Sequence, residues 1–109
     1  MKRLISSFVF FLFLIFQLQA DPDPLVIGME LEYPPFEFVA DNGTNDGVSV
    51  EMAKALAIYL GRPLEIQNIK FDALITALKS DNIDLIISSM TATEERRKSI
   101  NFSDPYVTT

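Results

Sequence analysis

The chain has 109 residues, 49 % of them apolar, with nine basic against fifteen acidic residues and a net charge of −6. That balance argues against a nucleic-acid binder or a partner of anionic lipid, because both surfaces would repel it. With no cysteine and no histidine, a disulfide framework, a cysteine-linked lipid anchor, zinc-type sites and histidine-based catalysis are excluded as well, so no metal and no cofactor is expected.

Met1-Lys2-Arg3 is basic, Phe8 to Phe16 is unbroken apolar sequence, and Leu18-Gln19-Ala20 ends in a small residue. This is the pattern of a secretory signal peptide over residues 1–20, with cleavage after Ala20. Even counted from Leu4, the apolar stretch makes a helix only about 20 Å long, short of the ~30 Å hydrocarbon core of a membrane. An uncleaved anchor stays open, because Leu18 is larger than the residue usual at that position. Removing Lys2 and Arg3 with the leader leaves seven basic against fifteen acidic residues, a net charge of −8. The compartment implied is a bacterial periplasm.

Asp21-Pro22-Asp23-Pro24 leads stiffly into Leu25-Val26-Ile27-Gly28-Met29, a buried strand. Glu30 to Phe36 leaves the carboxyl end of that strand, and Pro34-Pro35 is expected to hold it extended. Ligands of open α/β sheets sit beyond the carboxyl ends of the strands, which makes this a binding segment. Taken alone, Tyr33 reads as a rim aromatic packed on the prolines. Phe36-Glu37-Phe38-Val39 alternates as a strand, Asp41 to Gly47 is turn-rich, and Val48-Ser49-Val50 returns. A β-hairpin is predicted there.

From Val50 to Leu60 the period is helical, with Met52, Leu56, Tyr59 and Leu60 on one face and Glu51 and Lys54 on another. Gly61 is its C-cap. Leu64 to Asn68 is a second strand. A second helix starts at Asp72 as N-cap and turns Leu74, Ile75 and Leu78 inward. Phe71 extends the same stripe, so core packing accounts for it equally well. Ser80-Asp81-Asn82 is a turn, and Ile83 to Ser88 is a third strand. Strands alternating with helices imply right-handed crossovers and an α/β fold with a largely parallel sheet flanked by helices.

Leu85-Ile86-Ile87 stops at Ser88-Ser89, and a polar helix follows with Thr93 as N-cap, Glu94 and Glu95 in its first turn, then Arg96, Arg97 and Lys98. A strand that delivers a Ser/Thr turn into a helix start offers backbone N–H groups, hydroxyls and positive potential to an anion. Helical side chains lean toward the N-terminus, so Arg96 can reach back over the Ser88–Thr91 turn and grip a carboxylate with two parallel hydrogen bonds. The bland alternative is that Arg96 is a solvated surface cation, as Arg97 and Lys98 are expected to be. Beyond the helix, Ile100 and Phe102 alternate inward, and Tyr106 to Thr109 is extended.

Ile86 to Arg96, followed by Asn101-Phe102-Ser103-Asp104-Pro105-Tyr106, resembles the amino-acid-binding extracellular solute-binding proteins of family 3. These are the periplasmic receptors of polar amino-acid ABC importers. Tyr33 to Phe36, Gly47 to Lys54, Phe71 to Leu74 and Ile83-Asp84 follow the same family in matching order. The resemblance implies a periplasmic-binding-protein-like type II lobe over residues 21–109. It also implies that the second lobe, and the segment returning to finish the first, are missing. The function implied is a receptor, monomeric when full length, that captures a polar or cationic L-amino acid and delivers it to a membrane permease. No bond is made or broken in that role. The same lobe serves histidine-kinase sensor ectodomains, cyclohexadienyl dehydratase and lytic transglycosylases, and fold alone does not separate these from a receptor or from a non-binding remnant.

Residue roles follow from the resemblance in the same way. Glu30 would touch the ligand side chain, and Tyr33 and Phe71 would enclose it as two aromatic jaws. Arg96, with the N–H groups around Ser89 to Thr91, would take the α-carboxylate. The Ser88 carbonyl and Thr91 hydroxyl would accept from the ammonium. With one wall of the cleft alone, the chain is expected to be a poor receptor.

Overall fold

The computed structural model describes residues 22–108; the expected leader and its cleavage site lie outside the described residues. Strand β1 (Leu25–Met29) runs through the middle of a three-stranded parallel sheet. Side chains alternate across a strand, and here both faces are apolar. Leu25, Ile27 and Met29 pack with Val50, Ala53 and Ala57 on one side. On the other, Gly28 lies against Ile83, Leu74 and Ile69. A strand covered on both faces by crossover connections is the expected environment of a parallel sheet.

The small sheet precedes the first helix. β2 (Glu32–Tyr33), β3 (Glu37–Val39) and β4 (Asn45–Asp46) pair antiparallel in that order, with Tyr33 opposite Glu37 and Phe38 opposite Asp46. The chain does not run extended through Pro34-Pro35 as expected. It reverses there in a tight turn that contains a cis Pro34–Pro35 bond and is closed by the Phe36 N–H donating to the Tyr33 carbonyl at 2.9 Å. The predicted hairpin exists, but its return arm is Asn45–Asp46. Val48-Ser49-Val50 is instead the first turn of helix α1 (Val48–Leu60).

The inward face of α1 also differs from the expectation. Ser49, Val50, Ala53 and Ala57 are buried, whereas Tyr59 is 86 % exposed and Leu60 is exposed too. Small side chains at this spacing let the helix backbone approach the sheet closely, and the larger residues are displaced to its flank and end. Leu56 keeps partial contact with the core. Gly61 caps the helix in the left-handed region, as predicted, with φ 65°.

β5 (Leu64–Asn68) pairs with β1 along its full length, Leu25 opposite Leu64 and Met29 opposite Asn68. A 3-10 turn (Phe71–Ala73) then runs into helix α2 (Leu74–Lys79), which buries Leu74 completely. Asp72 is not the N-cap; that position falls on Lys70, with no side-chain cap from it, because the turn begins two residues earlier than expected. β6 is only Leu85–Ile86, paired with Ile27 and Gly28 on the other edge of β1. The expected strand over Ile83 to Ser88 is shortened at both ends. Asp84 accepts the Val26 N–H on its carboxylate at 2.9 Å before it, and Ser88 turns into the loop after it. Helix α3 (Glu94–Arg97) follows. Among the described residues no helix is long and apolar enough to cross a membrane.

Candidate functional site

The three parallel strands end on one edge of the sheet, and side chains stitch those ends together. At the end of β1, the Glu30 N–H donates to Ser88 Oγ at 2.9 Å, and the Leu31 N–H donates to Asn68 Oδ1 at 3.0 Å. Glu30 in turn reaches across to the start of the 3-10 turn, where its Oε2 accepts the Phe71 N–H at 2.8 Å. A carboxylate at the first N–H groups of a helical turn satisfies donors that have no partner within the turn. The sequence contains this cap, but 41 residues before the Phe71 N–H that it serves rather than at Asp72.

Arg96 comes from the opposite side. Thr93 caps α3 as predicted, its Oγ1 accepting the Arg96 N–H at 3.2 Å. The guanidinium leans back over the turn, as the direction of helical side chains requires, and its Nη1 donates to the Thr91 carbonyl at 2.9 Å. It lies over the Phe71 ring, 5.3 Å from the centroid, within cation–π range. Phe71 is half-buried, beneath the guanidinium rather than inside the core. Glu30 and Arg96 therefore meet on one residue, the carboxylate at the Phe71 backbone and the guanidinium over its ring. Among the described residues neither belongs to an ion pair; those pairs are Lys54–Glu51, Arg62–Asp84, Lys70–Glu32 and Lys98–Glu95.

The Ser88–Thr91 turn lies next to Arg96. Ser88 is buried, with its hydroxyl engaged by Glu30 as described. Ser89 adopts a left-handed backbone, φ 53°, which a non-glycine residue takes only when held there. The N–H groups of Ser89, Met90 and Thr91 have no internal acceptor among the described residues. Tyr33 is 52 % exposed and stacks on Phe36 with centroids 5.4 Å apart and planes at 22°. A cavity of about 550 Å³ is lined by Tyr33, Phe36, Ser89, Thr91 and residues of the Phe102–Thr108 tail. Glu30, Phe71 and Arg96 do not line it.

The seven expected ligand contacts thus fall into two neighbouring groups that share Thr91. Glu30, Phe71, Ser88 and Arg96 are linked by the contacts just described, while Tyr33 and Ser89 line the cavity. Arg97 is exposed, as expected, with its guanidinium 5.6 Å from the Phe102 ring centroid. Sequence reasoning missed Glu37, which is 1 % exposed and accepts hydroxyls from Ser49 and Ser89 on Oε2 at 2.5 and 3.1 Å. The available signal was an acid in the middle of Phe36-Glu37-Phe38, where strand alternation puts it on the opposite face from two aromatic rings.

Comparison with known proteins gives a consistent result. The family model of bacterial extracellular solute-binding proteins, family 3, matches residues 25–109. The arginine-binding extracellular protein ArtP of Bacillus subtilis (strain 168) is 48 % identical over 85 residues, covering 77 % of this chain and 32 % of the relative. The L-cystine-binding protein TcyJ of Escherichia coli (strain K12) is 40 % identical over 82 residues, covering 75 % of this chain and 31 % of the relative. Among solved structures, the arginine-bound form of domain 1 from TmArgBP superposes with a TM-score of 0.75 at 49 % identity, covering 76 % of this chain and 66 % of that one. The chain spans about a third of the length of the curated relatives it matches.

Proposed function

The chain belongs to the bacterial extracellular solute-binding proteins, family 3, and from that premise we propose that it is the ligand-gripping lobe of a periplasmic receptor for a cationic L-amino acid, arginine first. The observation that carries this reading is the pair of opposite charges, Arg96 and Glu30, that meet on Phe71, one over its ring and the other at its backbone N–H. A free amino acid is a zwitterion, and a cationic one carries a second positive charge at the tip of its side chain. Arg96 takes the α-carboxylate with its remaining N–H donors, joined by the backbone N–H groups of Ser89 to Thr91. The bond from Nη1 to the Thr91 carbonyl holds the fork in place, so little rotamer freedom is lost when a ligand arrives. The Ser88 carbonyl and Thr91 hydroxyl accept from the α-ammonium. Glu30 attracts the cationic tip, and Phe71 and Tyr33 cover the aliphatic stem.

Relatives named for arginine binding support the choice of ligand. A relative named for L-cystine binding makes cystine the competitor to test. In this reading the leader is removed after Ala20, the lobe works in the periplasm, and the ligand passes unchanged to the membrane permease of an ABC importer. Titration calorimetry against arginine, lysine, histidine, glutamine and cystine tests it. Arginine or lysine should bind tightest; a preference for an acidic or aliphatic amino acid would overturn the assignment.

A further inference from the structure

Among the described residues Glu37 is the one fully buried charged side chain. It makes none of the ligand contacts proposed above. Its strand β3 is paired to β2 through Tyr33 opposite Glu37. Its Oε2 accepts the Ser49 hydroxyl from the first turn of α1 and the Ser89 hydroxyl from the turn after β6. Three segments far apart in sequence therefore meet on one carboxylate oxygen. All three adjoin the cavity, through Tyr33 on the paired strand and through Ser49 and Ser89 themselves. Hydrogen bonds to a carboxylate are stronger than those between neutral groups, and burial removes the competing water.

Ser89 is the residue that needs such a hold. Its φ of 53° lies where a Cβ is disfavoured, and in that conformation the N–H groups of Ser89, Met90 and Thr91 stay free of internal acceptors. We propose that Glu37 is a positioning residue for the carboxylate-binding turn. Through the Ser89 hydroxyl it keeps the backbone left-handed, so that these N–H groups and the Thr91 carbonyl that anchors Arg96 are set before ligand arrives. The proposal rests on the amino-acid-binding reading for its purpose, but not for its geometry.

Ser89→Ala removes only the hydroxyl and leaves the buried carboxylate bonded to Ser49, so folding is not at risk. Ser89→Gly removes the same hydroxyl but tolerates positive φ without it. Backbone NMR of the ligand-free chain should find Ser89 left-handed in the wild type and position 89 shifted away from that region in Ser89→Ala and in Glu37→Ala. Glu37→Gln should retain it in part, since the amide oxygen still accepts. Arginine Kd should rise on the order of tenfold in Ser89→Ala and recover in Ser89→Gly. The double variant Glu37→Ala/Ser89→Ala should be no weaker than the worse single one, the signature of one shared interaction. A left-handed position 89 in Ser89→Ala, or an arginine affinity unchanged by it, would overturn the proposal. If the wild type fails to bind arginine, the functional reading fails alone, and the backbone angle still decides the role of Glu37.

Discussion

Arg96 is held at three points by its own neighbours: its N–H on Thr93, its guanidinium on Thr91, and its flat face on Phe71. Charge-assisted hydrogen bonds contribute ~1.5–3 kcal/mol each, so Arg96→Ala should weaken arginine binding on the order of a hundredfold or more. Arg97→Ala, one residue on, should change it little, and calorimetry on the two variants side by side tests the contrast. Glu30→Gln should weaken arginine and lysine far more than glutamine; equal losses for all three would reduce Glu30 to the cap of Phe71. Tyr106 gives a pH signal of its own. Burial, and secondarily the negative charge of Glu37, raise its phenol pKa. The neutral phenol is thus favoured in the folded state. The associated stability is intact below the ordinary tyrosine pKa of about 10 and is lost as pH rises through the raised folded value. More than half of the residue is exposed, so the effect should be small. A spectrophotometric titration should find Tyr106 ionising later in the folded chain than in urea, and Tyr106→Phe should remove that late step.

Elements were legible in the sequence where a single period or a cap decided them. β1, β5, the glycine that ends α1 and the threonine that starts α3 stand where spacing put them, and β6 lies inside its expected span but is shorter. The inward face of α1 was not legible, because hydrophobic pattern favours large residues while close packing on a sheet selected Val50, Ala53 and Ala57. The hairpin register was missed for a related reason. Gly47 takes φ 112° and ends the strand pattern immediately before Val48 and Val50 would have continued it. A methyl group there would collide with the Phe36 and Pro35 carbonyls. Gly47→Ala should therefore cost more than ~1 kcal/mol and loosen the junction of the small sheet with α1. At Gly28, an added Cβ would lie 2.6 Å from Ile83 Cδ1 and 3.1 Å from Leu74 Cδ2. Gly28→Ala should cost about 1–3 kcal/mol as an overpacked core position. Urea unfolding of both variants measures this; a Gly28→Ala chain as stable as the wild type would mean that α2 can move off the sheet freely.

At the scale of the molecule, the sequence expectation was that one wall of a cleft makes a poor receptor. A crystal of a similar protein's domain 1 in its arginine-bound form bears directly on that expectation. The residues proposed to fix a ligand backbone come from the ends of β1 and β6, the 3-10 turn and α3, all within the same lobe. We therefore expect this chain to bind arginine measurably by itself, more weakly than a two-lobed relative measured under the same conditions. Absence of binding at millimolar arginine would return the lone lobe to the status of a remnant. The same expectation explains why the site was only partly legible. Arg96 and the Ser/Thr turn are adjacent in sequence, so their partnership could be read from spacing. Glu30 with Phe71, and Glu37 with Ser89, are joined only by the sheet.

The shortness of β6 has a thermodynamic consequence. Two residues pair it to β1, and the turn carrying Ser88 to Thr91 hangs from its end. Backbone bonds from Asp84 to Val26 and from Ile87 to Gly28 flank that pairing, and we expect this edge to open, with the β1–β5 pairing and the α1 face intact, at lower free energy than global unfolding. The apparent affinity is then the intrinsic one scaled by the fraction of molecules in which β6 is docked. Ligand that grips the turn must, by linkage, protect the β6 amides, and substitutions at Leu85 or Ile86, which touch no ligand, should act as affinity mutations. Concentration of free amino acid would thus be recorded in the pairing of a single short strand.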